Sequence, residues 1–120
     1  MSTSVVIDRL HYAKLGRGHE EAIQAFSAAG TETDVIEGET NVRKKVDRVI
    51  IANTGTNPVS VHLEDDGTQK GPLMRCPAND TLETVVILDF DKGAGVDVEV
   101  AGTSPSCTVY LDYHSKPVEN

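Results

Sequence analysis

In Val96-Asp97-Val98-Glu99-Val100 an apolar residue occupies every second position. That rhythm puts three valines on one face and two carboxylates on the other, the signature of a half-buried strand. Cys107-Thr108-Val109-Tyr110-Leu111-Asp112-Tyr113 repeats it, and so does Val59-Ser60-Val61-His62-Leu63-Glu64. A helix would scatter the same residues around its circumference. Two further runs, Val46 to Ala52 and Leu82 to Phe90, are more continuously apolar and rich in β-branched residues. Periodicity alone leaves a buried helix open for such runs, and their β-branched content favours central strands.

Turn chemistry separates these runs at short intervals. Asn53 to Pro58 predicts a hairpin between the Ile50 and Val61 strands. Asp65-Asp66-Gly67 ends the Val61 strand, and Pro77-Ala78-Asn79-Asp80 precedes the Val85 strand. Lys92-Gly93-Ala94-Gly95 and Gly102-Thr103-Ser104-Pro105 link the last three strands. Short strands joined in this way predict an all-β fold, an antiparallel β-sandwich or jelly-roll-like arrangement.

The first forty residues differ. Val5-Val6-Ile7 reads as a strand. Gly18 to Gly30 reads as one short N-terminal helix, with Glu20 and Glu21 at its positive end and Ala22, Ile23 and Phe26 on one face. The same segment also suits an extended arm that orders only against a partner. A further strand is expected at about Asp34 to Glu39, leading into a basic turn at Arg43-Lys44-Lys45. The expected organisation is one domain: an arm over residues 1–40, a sandwich core over 41–114 and a mobile tail over 115–120.

Composition narrows the partners. The chain has 120 residues, with 19 acidic against 11 basic side chains and a formal net charge of −8. Nucleic acid is disfavoured, because a phosphate backbone asks for a basic footprint. An anionic membrane surface is disfavoured for the same reason, and no apolar run is long enough to span a bilayer. The opening residues lack a basic segment followed by a long apolar one, so the expectation is synthesis in a cytoplasm without a signal peptide. Cys76 and Cys107 are too few for a disulfide framework and read as small, free core residues, with a bridge left open if two strands bring them together.

Catalytic motifs do not stand out. His11, His19, His62 and His114 are never closer than eight positions, so no local metal-ligand spacing arises, and they read as solvated or rim side chains. The stretch Asp89 to Gly95 faintly suggests a calcium loop, but Ala94 stands where the loop glycine belongs and Val100 where the closing acid belongs. Glu64-Asp65-Asp66 reads as a charged strand end. No phosphate loop and no nucleophile elbow is present. The expectation is a non-enzymatic protein with no catalytic, cofactor-binding or metal-binding residues.

The stretch from Val46 to Tyr113 resembles small β-sandwich structural proteins of tailed bacteriophages. The features occur in order: Val49-Ile50-Ile51-Ala52-Asn53-Thr54-Gly55, then Pro58-Val59-Ser60-Val61-His62-Leu63, then Cys76-Pro77-Ala78-Asn79-Asp80-Thr81-Leu82, a Gly-Ala-Gly turn, and the closing Cys107 to Tyr113 strand. The resemblance implies a virion component, foremost a capsid decoration or cement protein that sits as a homotrimer on the major capsid protein lattice and braces the head shell. Made in the host cytoplasm, it would end on the capsid surface. A neck, tail or head-fibre protein, or a carbohydrate or cell-surface binding module, is the alternative; for the latter Tyr110 is the aromatic expected to face outward. Candidate contacts to a neighbouring copy or to the capsid are Arg43, Lys44, Lys45, Tyr12 and Phe26.

Overall fold

The computed structural model describes residues 19–118. Eight strands follow one another: β1 (His19–Phe26), β2 (Gly30–Ile36), β3 (Val42–Asn53), β4 (Val59–Asp65), β5 (Thr68–Cys76), β6 (Asp80–Asp89), β7 (Val96–Gly102) and β8 (Cys107–Pro117). They form two four-stranded antiparallel sheets in the orders β1-β8-β3-β6 and β2-β7-β4-β5. The fold is an all-β sandwich.

The alternating runs build the core. Val59, Val61 and Leu63 of β4 and Val96, Val98 and Val100 of β7 are buried from one sheet. Val46, Val49 and Ile51 of β3 and Val109 and Leu111 of β8 are buried from the other. Burial of each such side chain contributes about 1.5–3 kcal/mol, and the sum is what offsets the ordering of so many strand residues. Cys76 and Cys107 are buried in the same core as free thiols, and burial raises both of their pKa values.

The segment read from sequence as a helix is strand β1. All eight of its residues pair in continuous antiparallel register with β8, from His19 opposite His114 to Phe26 opposite Cys107. The thin apolar stripe of a short helix is a weak preference. Pairing with β8 satisfies the backbone and buries Phe26, and it outweighs that preference. Ile23, which a helix would have turned toward the core, points outward and is exposed. Thus residues 19–36, assigned from sequence to an arm, supply an outer strand to each sheet. The Val5 strand and Tyr12 lie outside the described residues. At the other end, Ser115 to Pro117, assigned to the tail, continue β8 and pair with Val42 to Lys44.

Two irregularities decide which side chains face out. Between Val46 and Arg48 the β3 register shifts against both neighbours. The extra residue resets the alternation, so Lys44 and Val46 face inward before the bulge, and Val49, Ile51 and Asn53 face inward after it. On β6 the matching bulge holds Ile87 at φ 52°, an unusual conformation for a β-branched residue. The hairpin between β4 and β5 has only Asp66 and Gly67 at its tip, at φ 49° and 84°. That Asp-Gly pair is the expected chemistry of a two-residue hairpin.

Asn53, within the Ala-Asn-Thr run, has a structural task. Its buried amide nitrogen donates to the carbonyls of Asn57 at 2.9 Å and Pro77 at 3.0 Å, while its oxygen accepts from the Gly55 backbone N–H at 3.0 Å. One side chain therefore ties the β3–β4 turn to the end of β5.

Candidate functional site

The outer faces of the two sheets carry the polar chemistry, and each has a partly buried histidine. On the β2-β7-β4-β5 sheet, His62 of β4 stands directly opposite Glu99 of β7. Glu64 lies two residues further along β4 and so shares the same face. The His62 Nε2 lies 2.7 Å from Glu64 Oε2 and 3.2 Å from Glu99 Oε2. The side chain of His62 is only 15% exposed and that of Glu64 11%, unlike the solvated rim expected from sequence.

The two glutamates are pushed apart in pKa. Glu64 is held below the ordinary carboxylate range, chiefly by its hydrogen bond to His62. Glu99 is raised, chiefly by its hydrogen bond with Glu64 and next by burial. Asp97, opposite Glu64 in the register, is turned to another duty: its Oδ1 accepts from the Asp34 backbone N–H at 2.9 Å.

On the opposite sheet, Arg43, Lys45, Asp89, His114 and Lys116 line a hollow of about 240 Å³. Strand pairing gathers them. Arg43 sits across from Lys116, and Lys45 lies between His114 on one side and Asp89 on the other. His114 Nδ1 lies 2.8 Å from Asp47 Oδ2. Arg43 also reaches Asp91 at 3.5 Å, across the turn that follows β6. In that turn the Asp91 carbonyl accepts from the Ala94 N–H, so the stretch faintly reminiscent of a calcium loop is a polar turn.

The basic trio is therefore not a turn, and it does not act as one patch. As part of β3, Arg43 and Lys45 face outward and Lys44 faces inward. The Lys44 side chain is 2% exposed. Its ammonium pairs with Glu39, donates to Ser115 Oγ at 2.9 Å and lies 5.8 Å from the Tyr113 ring centroid. This is a charge satisfied at the open end of the core. Phe26 is buried in the core, so neither Lys44 nor Phe26 is placed to touch a partner. Tyr110 faces outward, between Ile23 of β1 and Ile50 of β3.

Two features escaped sequence reading. His62, Glu64 and Glu99 come from strands 35 positions apart, and only the β4–β7 register brings them together. The second is an apolar edge. Val85 and Ile87 on β6 are 69% and 62% exposed, and β6 pairs only with β3 among the described residues. Read as a central strand, β6 is an edge strand.

The fold defines a two-sheet antiparallel sandwich class used by proteins of many kinds. No family model matches the chain, and no curated protein matches it. Solved structures do. A Drosophila NLP core, studied for pentamer formation and histone binding, aligns with a TM-score of 0.54 at 16% identity, over 87% of this chain and 98% of that one. A subunit of the disulfide-linked pili of Bacillus endospore appendages aligns with a TM-score of 0.52 at 10% identity, over 86% and 89%. A chain from the capsid of Helicobacter pylori bacteriophage KHP30 aligns with a TM-score of 0.50 at 16% identity, over 87% and 98%. At such identities the likeness establishes the fold.

Proposed function

We propose that this chain is a non-enzymatic structural protein of a virion, a decoration protein that docks on a phage head shell as a homo-oligomer. The exposed Val85–Ile87 segment on edge strand β6 carries the reading. A long edge strand with two outward apolar side chains is an aggregation hazard for a lone monomer. Covered by a second copy, or by a capsomer, the same edge becomes an interface core. The basic hollow of Arg43, Lys45 and Lys116 on a chain of net charge −8 is complementary to an acidic neighbour, which another copy of this chain would supply. The sandwich fold is compatible with the role, since pilus, pentamer and capsid proteins use it.

Light scattering on the full chain tests the assembly, and gold-labelled antibody on virions from the genome that encodes the chain tests the place. The expected result is a homo-oligomer, a trimer in the decoration reading, with label on the head. Substituting Val85→Asp together with Ile87→Asp should shift it to monomer while the sandwich stays folded. Label confined to the neck, tail or fibres would move the chain to another virion part. A monomer at every concentration with unlabelled virions would sink the proposal.

A further inference from the structure

His62, Glu64 and Glu99 put one imidazole nitrogen and two carboxylate oxygens within 4.8 Å of one another. The geometry points to a binding site for one divalent transition-metal ion, of which zinc is the type, on the outer face of the β2-β7-β4-β5 sheet.

The argument begins with what holds the donors. His62 and Glu99 are opposite partners in the β4–β7 ladder, and Glu64 is the next residue of β4 on the same face. Their backbones are therefore fixed by sheet hydrogen bonds rather than by a loop. A site on such a scaffold loses little freedom on binding. The spacing also suits a metal of this size. Tetrahedral ligation at about 2.0–2.1 Å separates neighbouring donor atoms by about 3.3 Å. His62 Nε2 stands 3.2 Å from Glu99 Oε2 and 2.7 Å from Glu64 Oε2. Of these two, the second has to open, by a few tenths of an ångström that a glutamate torsion supplies.

The donor set selects the ion. One nitrogen with two oxygens matches zinc and its neighbours among first-row metals. Calcium asks for six to eight oxygens and magnesium for a largely hydrated octahedron. Three protein donors leave a fourth position open to water or to a donor from outside the chain. A bound ion would also remove the repulsion between two glutamates set side by side. The other face offers a contrast: His114 contacts one carboxylate, Asp47, and the neighbouring hollow holds three basic side chains against one acid, Asp89. A simple ion pair needs no more than that.

The surrounding polar groups are compatible with this assignment. Asp97 is engaged by the Asp34 backbone and is free to add negative charge without being a ligand. Glu64 is largely buried, so the ion would sit against the sheet rather than in bulk solvent.

The test is titration of zinc chloride into the chelator-treated full chain, followed by calorimetry, with cobalt(II) substitution read in the visible spectrum. The expected result is one ion per chain with a micromolar or tighter Kd, and a cobalt spectrum of four-coordinate intensity. His62→Ala and the near-isosteric Glu99→Gln should each weaken binding at least tenfold, with circular dichroism confirming the strand content of both. His114→Ala should leave binding unchanged. Absence of zinc binding to the wild-type chain would overturn the assignment. So would binding that survives both His62→Ala and Glu99→Gln, or a site that prefers calcium to zinc. None of these outcomes depends on whether the chain decorates a capsid.

Discussion

The two outer faces of the sandwich present the same residue in opposite settings. His62 and His114 are almost equally exposed, at 15% and 16%, and both face a carboxylate at hydrogen-bond distance. Around His62 the neighbours are Glu64, Glu99 and Asp97. Around His114 they are Asp47, Asp89, Arg43, Lys45 and Lys116. One face concentrates negative charge around an imidazole, and the other sets three cations against two carboxylates around it. A histidine's chemistry is therefore set by the strands that flank it, and two faces of one small domain can serve different partners.

The contrast assumes one cooperative core beneath both faces. Truncating either inner layer should cost the same order of stability. Leu111→Ala, beneath the basic face, and Leu63→Ala, beneath the acidic face, should each lower unfolding free energy by about 2–5 kcal/mol, measured by urea denaturation. A variant that melts one sheet while the other persists would break the idea of a shared core.

A smaller effect probes the buried cation of the basic side. Glu39→Ala leaves the Lys44 ammonium with Ser115 and the Tyr113 ring. The expected loss is about 1–3 kcal/mol, because an ammonium buried without its counter-charge is poorly compensated. Thermal unfolding of the variant checks this, and an unchanged midpoint would show that Lys44 reaches water instead.

The acidic face should show its own pH dependence, in metal-free buffer. Glu64 has a depressed folded pKa, so its contribution to stability is present above its unfolded pKa and is lost as pH falls through the folded value. Glu99 has a raised folded pKa, so it binds its proton more tightly when folded. Its contribution is complete below the unfolded pKa and is lost as pH rises through the folded value. Stability contributed by the pair should therefore peak around the ordinary carboxylate range and decline just above it. Glu99→Gln should remove that decline and make the chain slightly more stable at neutral pH, by less than about 1 kcal/mol given its partial exposure. Denaturation midpoints across pH 4 to 8 would reveal the missing limb. A decline that persists in the variant would place its origin elsewhere.

The smallest effect is expected for Lys45→Ala in the basic hollow. Stability should change by no more than about 0.5 kcal/mol, while association with an acidic partner should weaken and lose part of its salt dependence. A large loss of stability would mean that the hollow holds the sheet together rather than serving a partner.

Much of the strand framework was legible from short-range rhythm. The alternations in β4, β7 and β8 identified both the strands and the residues that face the core, because a pleated strand that is half buried admits no other pattern. The Asp66-Gly67 turn was equally readable, since its backbone conformation favours few residue types. Asn53 to Pro58 was readable as a turn but not as the hairpin expected: β3 and β4 lie in different sheets, and the turn carries the chain from one to the other. β1 was not readable in this way. Its Ala22, Ile23 and Phe26 suit a helical face as well as a strand, and pairing with β8 made the choice. β5 was missed, because Gly71, Pro72 and a register shift interrupt its alternation. The resemblance to phage structural sandwiches rested partly on Asn53, whose side chain proves to be a structural tie between turns.

The sequence by itself determined an acidic, all-β chain with a valine-rich core, since local alternation and turn chemistry act over a few residues. The tertiary structure alone decided that Lys44 turns inward while Arg43 and Lys45 turn out, because a bulge between Val46 and Arg48 sets the parity of β3. It alone decided that β6 lies at an edge with Val85 and Ile87 bare, and that His62 meets Glu99. Those outcomes depend on which strands become neighbours and in what register, and long-range pairing of that kind leaves no mark within any single strand.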